Sequence, residues 1–250
     1  MTLSLVRGMQ MAAGLLLVAL SFAPAGAAVT VTEQTLADSQ PEVYDYTLKY
    51  PTTDVAAIDA VIVPFATSMM AEFKSYLADR TEDAFQAYSA ELTYQVTRND
   101  DEMFVVAFGE FTYFGGAHPN SASHTFNFTM PGGDRVTLVE IVGQKGLKRV
   151  SELAIADLKS QWGAEPMSDD DWLANGAAPM DMNYASFQWL KDELVVVFDS
   201  YQVAAYAAGP QEVHIPHATI AAFIRDDWTV PVASFDCAKA GTAVEKAICG

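Results

Sequence analysis

The sequence predicts a single α+β domain in which a mainly antiparallel sheet packs against two main helices. Several segments alternate apolar and polar residues, as half-buried strands do. Two longer stretches instead repeat apolar residues with the 3.6-residue period of a helix. Short turns rich in Gly, Pro, Asn and Asp join most strands, and such turns favour antiparallel pairing. We place this domain at residues 29–228, between a leader at 1–28 and a tail at 229–250.

Residues 1–28 have the organisation of a secretory signal peptide. Arg7 supplies the positive n-region, an apolar run covers 11–22, and a small Ala-Gly-Ala cleavage site follows at 25–27. The run is about a dozen residues long, against the roughly 20 that span a bilayer, so we expect cleavage rather than anchoring. The mature protein is therefore expected to be periplasmic or secreted, with no membrane span after cleavage.

The chain is strongly acidic, with a net charge of -18. Cleavage of the leader removes Arg7 and no acid, which leaves 13 basic against 32 acidic residues and a charge of -19. Such a surface repels nucleic acid and attracts cationic partners, although it also serves solubility. We therefore expect no nucleic-acid partner.

The first half of the domain predicts a strand, a long helix and then further strands. Residues 43–50 alternate as a strand. Asp54 is the expected N-cap of a helix whose apolar stripe extends to Tyr76. A kink or break is expected near Val63, because Pro64 lies inside this helix. Strands are then expected at 88–97, 103–114, 123–130 and 135–138.

The second half predicts a helix at 147–162, which Gly163 ends. Residues 163–183 lack a periodic pattern and are expected to form a long loop. A second set of strands and a short closing helix follow, at 184–190, 194–199, 211–216 and 217–224.

Residues 113–120, Tyr-Phe-Gly-Gly-Ala-His-Pro-Asn, carry the densest turn signal in the chain. Gly115 and Gly116 allow positive φ and Pro119 removes a backbone donor, so a strand cannot continue there. A second segment at 201–216 is also rich in Tyr, Gly and Pro. We predict that the two segments lie close together and form one composite binding site, since neither has another evident role in the core. The candidate binding residues in these segments are Tyr113, Gly115, Gly116, His118, Asn120, Tyr201, Tyr206, Gly209 and Pro210.

The four histidines and Glu110 are the side chains that could carry chemistry. His118 either contacts a ligand or hydrogen-bonds its own loop, whereas His124 is expected to be a core histidine. His214 and His217 could approach each other, but zinc needs three or four ligands and no third is evident. Glu110 would need a second acid across a cleft to act in hydrolysis. With no nucleophile motif and no phosphate loop in the sequence, we predict no catalytic residue, metal or cofactor, and therefore no enzyme.

The two Tyr- and Gly-rich segments resemble the paired signature of the RsiV-like extracytoplasmic domain family. The similarity extends over residues 44–223, and the order of the elements is also similar. The resemblance implies an extracytoplasmic recognition domain. In the best understood member of that family, an anti-sigma factor, the domain binds lysozyme. In another member the domain precedes a peptidoglycan deacetylase. This sequence shows neither an anti-sigma region nor an enzyme domain, so signalling through a sigma factor is not expected.

Residues 234–249 resemble the opening of the LprI-like lysozyme-inhibitor family, whose helical continuation is missing before Gly250. We expect this tail to be a remnant of that module or a stapled C-terminus. Cys237 and Cys249 are the two cysteines, and an even count in an exported chain predicts a disulfide between them.

Two hypotheses of function follow. The first is a binding protein that recognises lysozyme or another cationic wall hydrolase. The alternative is a peptidoglycan-binding or carbohydrate-binding module that stacks sugars on Tyr113, Tyr201 and Tyr206. Ionic strength separates them, because binding to an acidic surface weakens with salt while stacking hardly responds.

Overall fold

The computed structural model describes residues 28–81, 86–225 and 228. The predicted leader apart from Ala28 and the whole predicted tail, with Cys237 and Cys249, lie outside the described residues, so the leader and the disulfide stay predictions. Within the described part the fold is α+β with mostly antiparallel strands, as the sequence predicted.

Six strands form the main sheet, in the order in which they occur along the chain. All neighbours pair antiparallel except β2 and β3, which are parallel because a helix, α1, carries the chain over between them. The strands are β1 (Val31–Gln40), β2 (Tyr44–Thr53), β3 (Tyr88–Asn99), β4 (Met103–Tyr113), β5 (Asn120–Thr129) and β6 (Asp134–Val136), and α1 is Ala56–Ala78.

The sequence did not predict β1, which pairs with β2 along its whole length, from Val31 opposite Thr53 to Gln40 opposite Tyr44. Most side chains of this edge strand are exposed. An edge strand with little burial has no need of the alternating pattern by which strands are recognised.

The beginning of α1 differs from the prediction. Val55 is the N-cap and makes no side-chain cap, so the expected cap by Asp54 is wrong. Asp54 instead accepts a hydrogen bond from the Thr30 backbone N–H at 3.0 Å. The first turn is held by Asp59, which accepts from the backbone N–H of Thr53 at 2.7 Å.

Pro64 lies inside α1, yet the helix continues unbroken to Ala78. The predicted break near Val63 is therefore wrong. The hydroxyl of Thr67 donates to the carbonyl of Val63 at 2.9 Å, one of the local contacts in this turn. The main stabilisation comes from packing on the sheet, which outweighs the local cost of proline.

One stripe of α1 packs against the main sheet and forms a core with residues of β2 to β5. By length and composition alone α1 could cross a membrane, but here this stripe is buried in the protein. The buried members of the stripe are Ile58, Ile62, Ala66, Met69 and Phe73.

The remaining elements cover the other face of the main sheet. They are α2 (Leu138–Trp162), α3 (Asp170–Gly176), a 3-10 helix (Asp181–Tyr184), the antiparallel small sheet of β7 (Phe187–Trp189), β8 (Glu193–Phe198) and β9 (Gln211–Pro216), a 3-10 helix (Tyr206–Ala208), α4 (His217–Ile220) and a 3-10 helix (Ala221–Phe223).

Two of these elements correct the predicted boundaries. α2 begins nine residues earlier than position 147, at Leu138, where Thr137 and Glu140 form a reciprocal capping box. The helical conformation of α2 is interrupted at Gly143, where φ is 65. Residues 184–190 do not form one strand, because Tyr184 ends a 3-10 helix and β7 covers Phe187–Trp189 only.

Two buried polar side chains join the main sheet to the small sheet. Arg98 pairs with Asp100 at 2.7 Å and with Glu102 at 2.6 Å, and also donates to the carbonyl of Leu190 at 3.3 Å. Asn127 donates to the carbonyl of Phe187 at 2.8 Å and accepts from the Trp189 N–H at 2.8 Å. These bonds fix the small sheet on one end of the main sheet.

Candidate functional site

Two loops meet at the opposite end of the main sheet. The first loop, residues 114–119, joins β4 to β5, and the second loop, residues 199–210, joins β8 to β9. The hydroxyl of Tyr206 donates to the carbonyl of Pro119 at 2.9 Å across 87 residues of sequence. The prediction that the two segments lie close together is thereby confirmed.

Three rings, those of His118, Tyr201 and Tyr206, form the centre of this contact, and we call them the aromatic site. The ring of His118 stacks on Tyr206 with 4.1 Å between centroids. The ring of Tyr201 lies 5.5 Å from Tyr206 and 6.5 Å from His118. His118 thus hydrogen-bonds its own loop, which is one of its two alternatives, and it also contacts the neighbouring loop.

The hydrogen bonds of His118 indicate its tautomer. Nδ1 lies 2.8 Å from the carbonyl of Pro119, which can only accept, so Nδ1 carries the proton. Nε2 lies 3.5 Å from the hydroxyl of Tyr201, at the outer limit of a hydrogen bond. In the neutral ring Nε2 is then an acceptor that faces the exposed side of the site.

Gly115 is required by the conformation of the first loop. Its φ is +80, and a Cβ there would lie 3.2 Å from Cε1 of Tyr88. Gly116 differs, because its φ is not in the left-handed region and the nearest atom to an added Cβ is 3.8 Å away. The expected need for positive φ therefore holds at Gly115 alone.

Tyr201 is held in a conformation that residues other than glycine rarely adopt, with φ 71. Its carbonyl accepts from the indole N–H of Trp172 at 3.0 Å. The side chain of the next residue, Gln202, donates to the carbonyls of Gly176 and Asn183 at 3.1 and 2.9 Å. Tyr201 is 53% exposed. An exposed ring on a backbone constrained from several sides is a pattern that clusters at functional sites.

Carboxylates adjoin the aromatic site through Trp172, which belongs to the first turn of α3. Asp169 caps this helix by accepting from the N–H of Trp172 at 2.7 Å. α3 therefore interrupts the long loop that was expected over 163–183. A hydrogen bond from Lys159 holds the pKa of Asp170 below its usual value. Asp171 has no ion-pair partner in the described part of the chain. The surface next to Tyr201 is therefore rich in negative charge.

An open groove of about 630 Å³ leads away from His118 along the first loop. Phe111, 39% exposed, and Tyr113 line it, together with Ser89 of β3. Among the described residues that line it, none carries a charged side chain. The groove thus offers aromatic and neutral polar surface beside the aromatic site.

The other candidate residues shape these loops. Tyr113 and Gly116 line the groove and are not part of the ring cluster. Asn120 is the first residue of β5 and pairs with Thr112. Gly209, with φ 68, ends the 3-10 helix that carries Tyr206, and Pro210 leads into β9.

A second polar cluster lies nearby on β4 and β5. Nε2 of His124 is 2.8 Å from Glu110, and its ring lies 4.9 Å from Phe65, so this histidine is half-buried with a partner. Burial raises the pKa of Asp199, although hydrogen bonds from Ser123 and the proximity of His124 oppose this shift. Asp199 accepts from the N–H of Ser123 at 2.8 Å and so ties the second loop to the edge of β5.

His214 and His217 are not brought together. His214 faces Glu193 at 3.3 Å on an exposed side of the small sheet, whereas His217 stacks on Trp189 with 4.0 Å between centroids. Burial lowers the pKa of His217, and the positive charge of Arg98 adds to this effect. In the ranges 28–81, 86–225 and 228, no group of three or more metal-ligating side chains occurs.

Comparisons with known proteins cover both halves of the domain. Residues 38–121 match a family described as Deacetylase PdaC, and residues 140–218 match Protein of unknown function (DUF3298). The chain is 24% identical over 192 residues to a peptidoglycan-N-acetylmuramic acid deacetylase of Bacillus subtilis. That match includes 74% of this chain but only 40% of the deacetylase.

Two crystal structures share the fold. A DUF3298 family member from Bacteroides fragilis superimposes with a TM-score of 0.58 at 14% identity, covering 81% of this chain and 95% of that one. A DUF3298 family protein from Pseudomonas aeruginosa gives 0.57 at 14% identity, covering 80% and 97%. At such low identity these structures establish the shared architecture alone.

The sequence did not identify Trp172, Phe111 and Asp199 as parts of this region. Trp172 adjoins an acidic run and Asp199 follows a strongly apolar strand, and neither pattern distinguishes a site residue from the ordinary boundary of an element. Phe111 is one of several aromatic residues of β4, and only the structure shows that its face is uncovered. In the sequence, the Gly- and Tyr-rich turns are the signal that points to this region.

Proposed function

We propose that this protein is an exported, non-enzymatic binding domain of the cell envelope that recognises a lysozyme-type, cationic wall-degrading enzyme. The observation that carries the proposal is the aromatic site with carboxylates beside it. Its ring centre is formed by His118, Tyr201 and Tyr206, and Asp169, Asp170 and Asp171 adjoin it through Trp172.

Tyrosine is enriched among the residues that dominate protein interfaces, because its ring supplies large contact area with few rotatable bonds. Tyr201 meets this description, with an exposed ring on a backbone held by Trp172. Neighbouring carboxylates attract a basic partner and raise its rate of association. The net charge of -18 acts in the same direction at longer range.

The resemblance of the two loops to RsiV-like domains supports a lysozyme-type partner, since that resemblance implies lysozyme recognition. The similarity to part of a peptidoglycan deacetylase supports a location outside the cytoplasm and at the cell wall. A signal peptide at 1–28, a binding domain at 29–228 and a disulfide-bridged tail at 229–250 belong to the same proposal.

The surroundings of His118 favour binding over catalysis. It contacts the Pro119 carbonyl, Tyr206 and Tyr201, and none of the described carboxylates hydrogen-bonds to it. A histidine that acts as a general base is commonly oriented by an acid. The ring of His118 is therefore positioned to contact a partner.

A second candidate function is binding of peptidoglycan glycan, and the groove favours it. Its described lining is neutral and includes the rings of Phe111 and Tyr113. Sugars are bound through such aromatic faces and neutral hydrogen-bonding groups, with little dependence on charge.

Calorimetry of the mature protein with a c-type lysozyme, at increasing salt, tests the first candidate. We expect binding that weakens as salt rises, because the attraction of exposed charges is screened. Asp169→Asn with Asp171→Asn should weaken it too, since Asn can still cap α3. The charge-matched control, Asp101→Asn with Asp134→Asn, should change affinity much less.

Sedimentation with purified sacculi is the companion experiment. Lack of heat with lysozyme, together with salt-insensitive retention on sacculi, would reject the lysozyme proposal in favour of the glycan candidate. Lack of binding in both experiments would reject the two candidates together.

A further inference from the structure

A second concavity, which we call the inter-sheet cleft, lies between the main sheet and the small sheet. Its volume is about 340 Å³, within the range of ligand sites. Leu92 of β3 packs into the core below α1, so its neighbour Thr93 points to the opposite face, as does Gln95. Thr97 lies at a register shift of β3 and also lines the cleft. Gln188 of β7 lines the cleft from the small sheet.

The side chains of the cleft have unused hydrogen-bonding capacity. The hydroxyl of Thr97 is buried and has no partner among the described residues. Neither Gln95 nor Gln188 has a recorded side-chain hydrogen bond within the described ranges. The hydroxyls of Thr93 and Thr125 make only long contacts of 3.4 Å to carbonyls. Buried polar groups in folded proteins are normally bonded, so the buried hydroxyl of Thr97 lacks an expected partner. Gln95 is exposed and Gln188 half-buried, so their free donors and acceptors lie open to a polar ligand beside it.

Gly109, in the middle of β4, lies at the floor of the cleft and leaves space there because it has no side chain. A Cβ at this position would lie 3.3 Å from the hydroxyl of Thr93. Glycine weakens a strand interior and often marks a site that a ligand approaches closely. Two residues further along the same strand face, Phe111 exposes its ring.

The lining excludes several ligand classes. Glu212 is the single charged residue among the described residues of the cleft, so phosphates and other anions find no cation there. The face that β3 presents is built of hydroxyl and amide side chains, which gives an apolar ligand no anchor. A neutral ligand that carries many hydroxyl groups matches these side chains.

We propose that the inter-sheet cleft is a binding site for a short neutral saccharide, with Gln95, Gln188 and Thr97 as the hydrogen-bonding groups. Phe111 is placed to stack on the next sugar ring of a longer glycan. This site is separate from the aromatic site, and it does not depend on recognition of a protein partner.

The test is a titration of the ¹⁵N-labelled mature protein with the tetramer of N-acetylglucosamine, and in a second arm with cellotetraose. We expect amide shifts concentrated at 93–97, 109 and 188. Tighter binding of the first sugar would assign the site to acetamido glycans, and equal binding to hexose chains in general; both support the proposal. Gln95→Leu with Gln188→Leu should weaken binding at least about tenfold.

Gln40→Leu with Gln144→Leu is the matched control, because both glutamines are exposed on other surfaces, and its affinity should equal that of the unchanged protein. Gly109→Val should block binding by filling the floor. If the Gly109→Val variant fails to fold, the comparison of the Gln95 and Gln188 double variant with its control still tests the proposal. No shift with either sugar at millimolar concentration would overturn the proposal, as would shifts confined to 118, 201 and 206 that survive the Gln95 and Gln188 changes.

Discussion

The two ends of β4 use polar and aromatic side chains in opposite ways. Before Met103, Arg98 is buried and bonded to two carboxylates and to carbonyls of the small sheet. After Tyr113, the ring of Tyr201 is left exposed although its backbone is constrained. The bonded end is a structural junction whose groups are satisfied, and the loop end keeps surface available for a partner.

The pKa values of Asp100 and Asp199 differ in the same way between the two ends. Burial works to raise the pKa of Asp100, but hydrogen bonds from Arg98 and from the Met103 and Glu102 N–H groups outweigh it and hold the pKa below its usual value. At the loop end burial prevails and raises the pKa of Asp199. The junction therefore favours the charged form of Asp100, whereas the loop end disfavours the charged form of Asp199.

The largest effect is expected from Arg98→Met, which removes the centre of the junction. Loss of a buried cation leaves its partners uncompensated, and we expect the free energy of unfolding to fall by about 3 kcal/mol. Urea denaturation followed by circular dichroism measures it. Arg149→Met is the control, since its exposed pair with Glu152 should be worth under about 1 kcal/mol. Equal losses of stability in the two variants would mean that the buried ion pairs of Arg98 contribute no more than an exposed pair does.

Asn127→Leu should have the next largest effect. The substitution leaves the Phe187 carbonyl and the Trp189 N–H without their buried partner, at a cost of about 2 kcal/mol. Asn175→Ala, on the exposed side of α3, should change stability by no more than about 0.5 kcal/mol. If Asn127→Leu unfolds at the same urea concentration as the unchanged protein, these bonds do not hold the sheets together.

These two side chains show where sequence reasoning stops. Arg98 and Asn127 bond to residues about ninety and sixty positions away, and no local pattern specifies such partners. The fold class was predictable because alternation and helical periodicity are local, and the meeting of the two loops because Gly, Pro and Tyr marked both. β1 was missed because an exposed edge strand carries no apolar alternation.

The pH dependence of stability should differ in sign at the two aspartates. The lowered pKa of Asp100 means that its contribution is present above the unfolded pKa of about 3.9 and is lost as pH falls through the folded value. Asp100→Asn should therefore be less stable than the unchanged protein at pH 7, with a smaller difference at low pH. Denaturation curves from pH 3 upward measure this, and a pH-independent difference would contradict it.

The raised pKa of Asp199 has the opposite consequence. Its folded state binds the proton more tightly, so stability is lost as pH rises from about 3.9 through the folded pKa. Asp199→Asn keeps an acceptor for the Ser123 N–H and should gain stability relative to the unchanged protein as pH rises. Asp101→Asn, in an exposed turn, is the control for lost charge. A relative loss of stability with rising pH would show that the charged form is favoured after all.

The smallest effect on folding is expected from Tyr201→Asn. Asn tolerates positive φ, and the carbonyl that accepts from Trp172 is retained. The free energy of unfolding should change by no more than about 0.5 kcal/mol. A larger loss in urea denaturation would mean that the ring serves the fold, which would remove the contrast between the two ends of β4.

Calorimetry of Tyr201→Asn with a c-type lysozyme at low salt tests the central claim most directly. Removal of an exposed anchoring ring should weaken binding by about tenfold or more while the fold stays intact. Met182→Ala is the control, because this side chain is 77% exposed and lines a different concavity with Arg135 and Val136, so the change should leave affinity unchanged. Measurable binding that Tyr201→Asn and Met182→Ala affect equally would contradict the account and place the partner elsewhere on the protein.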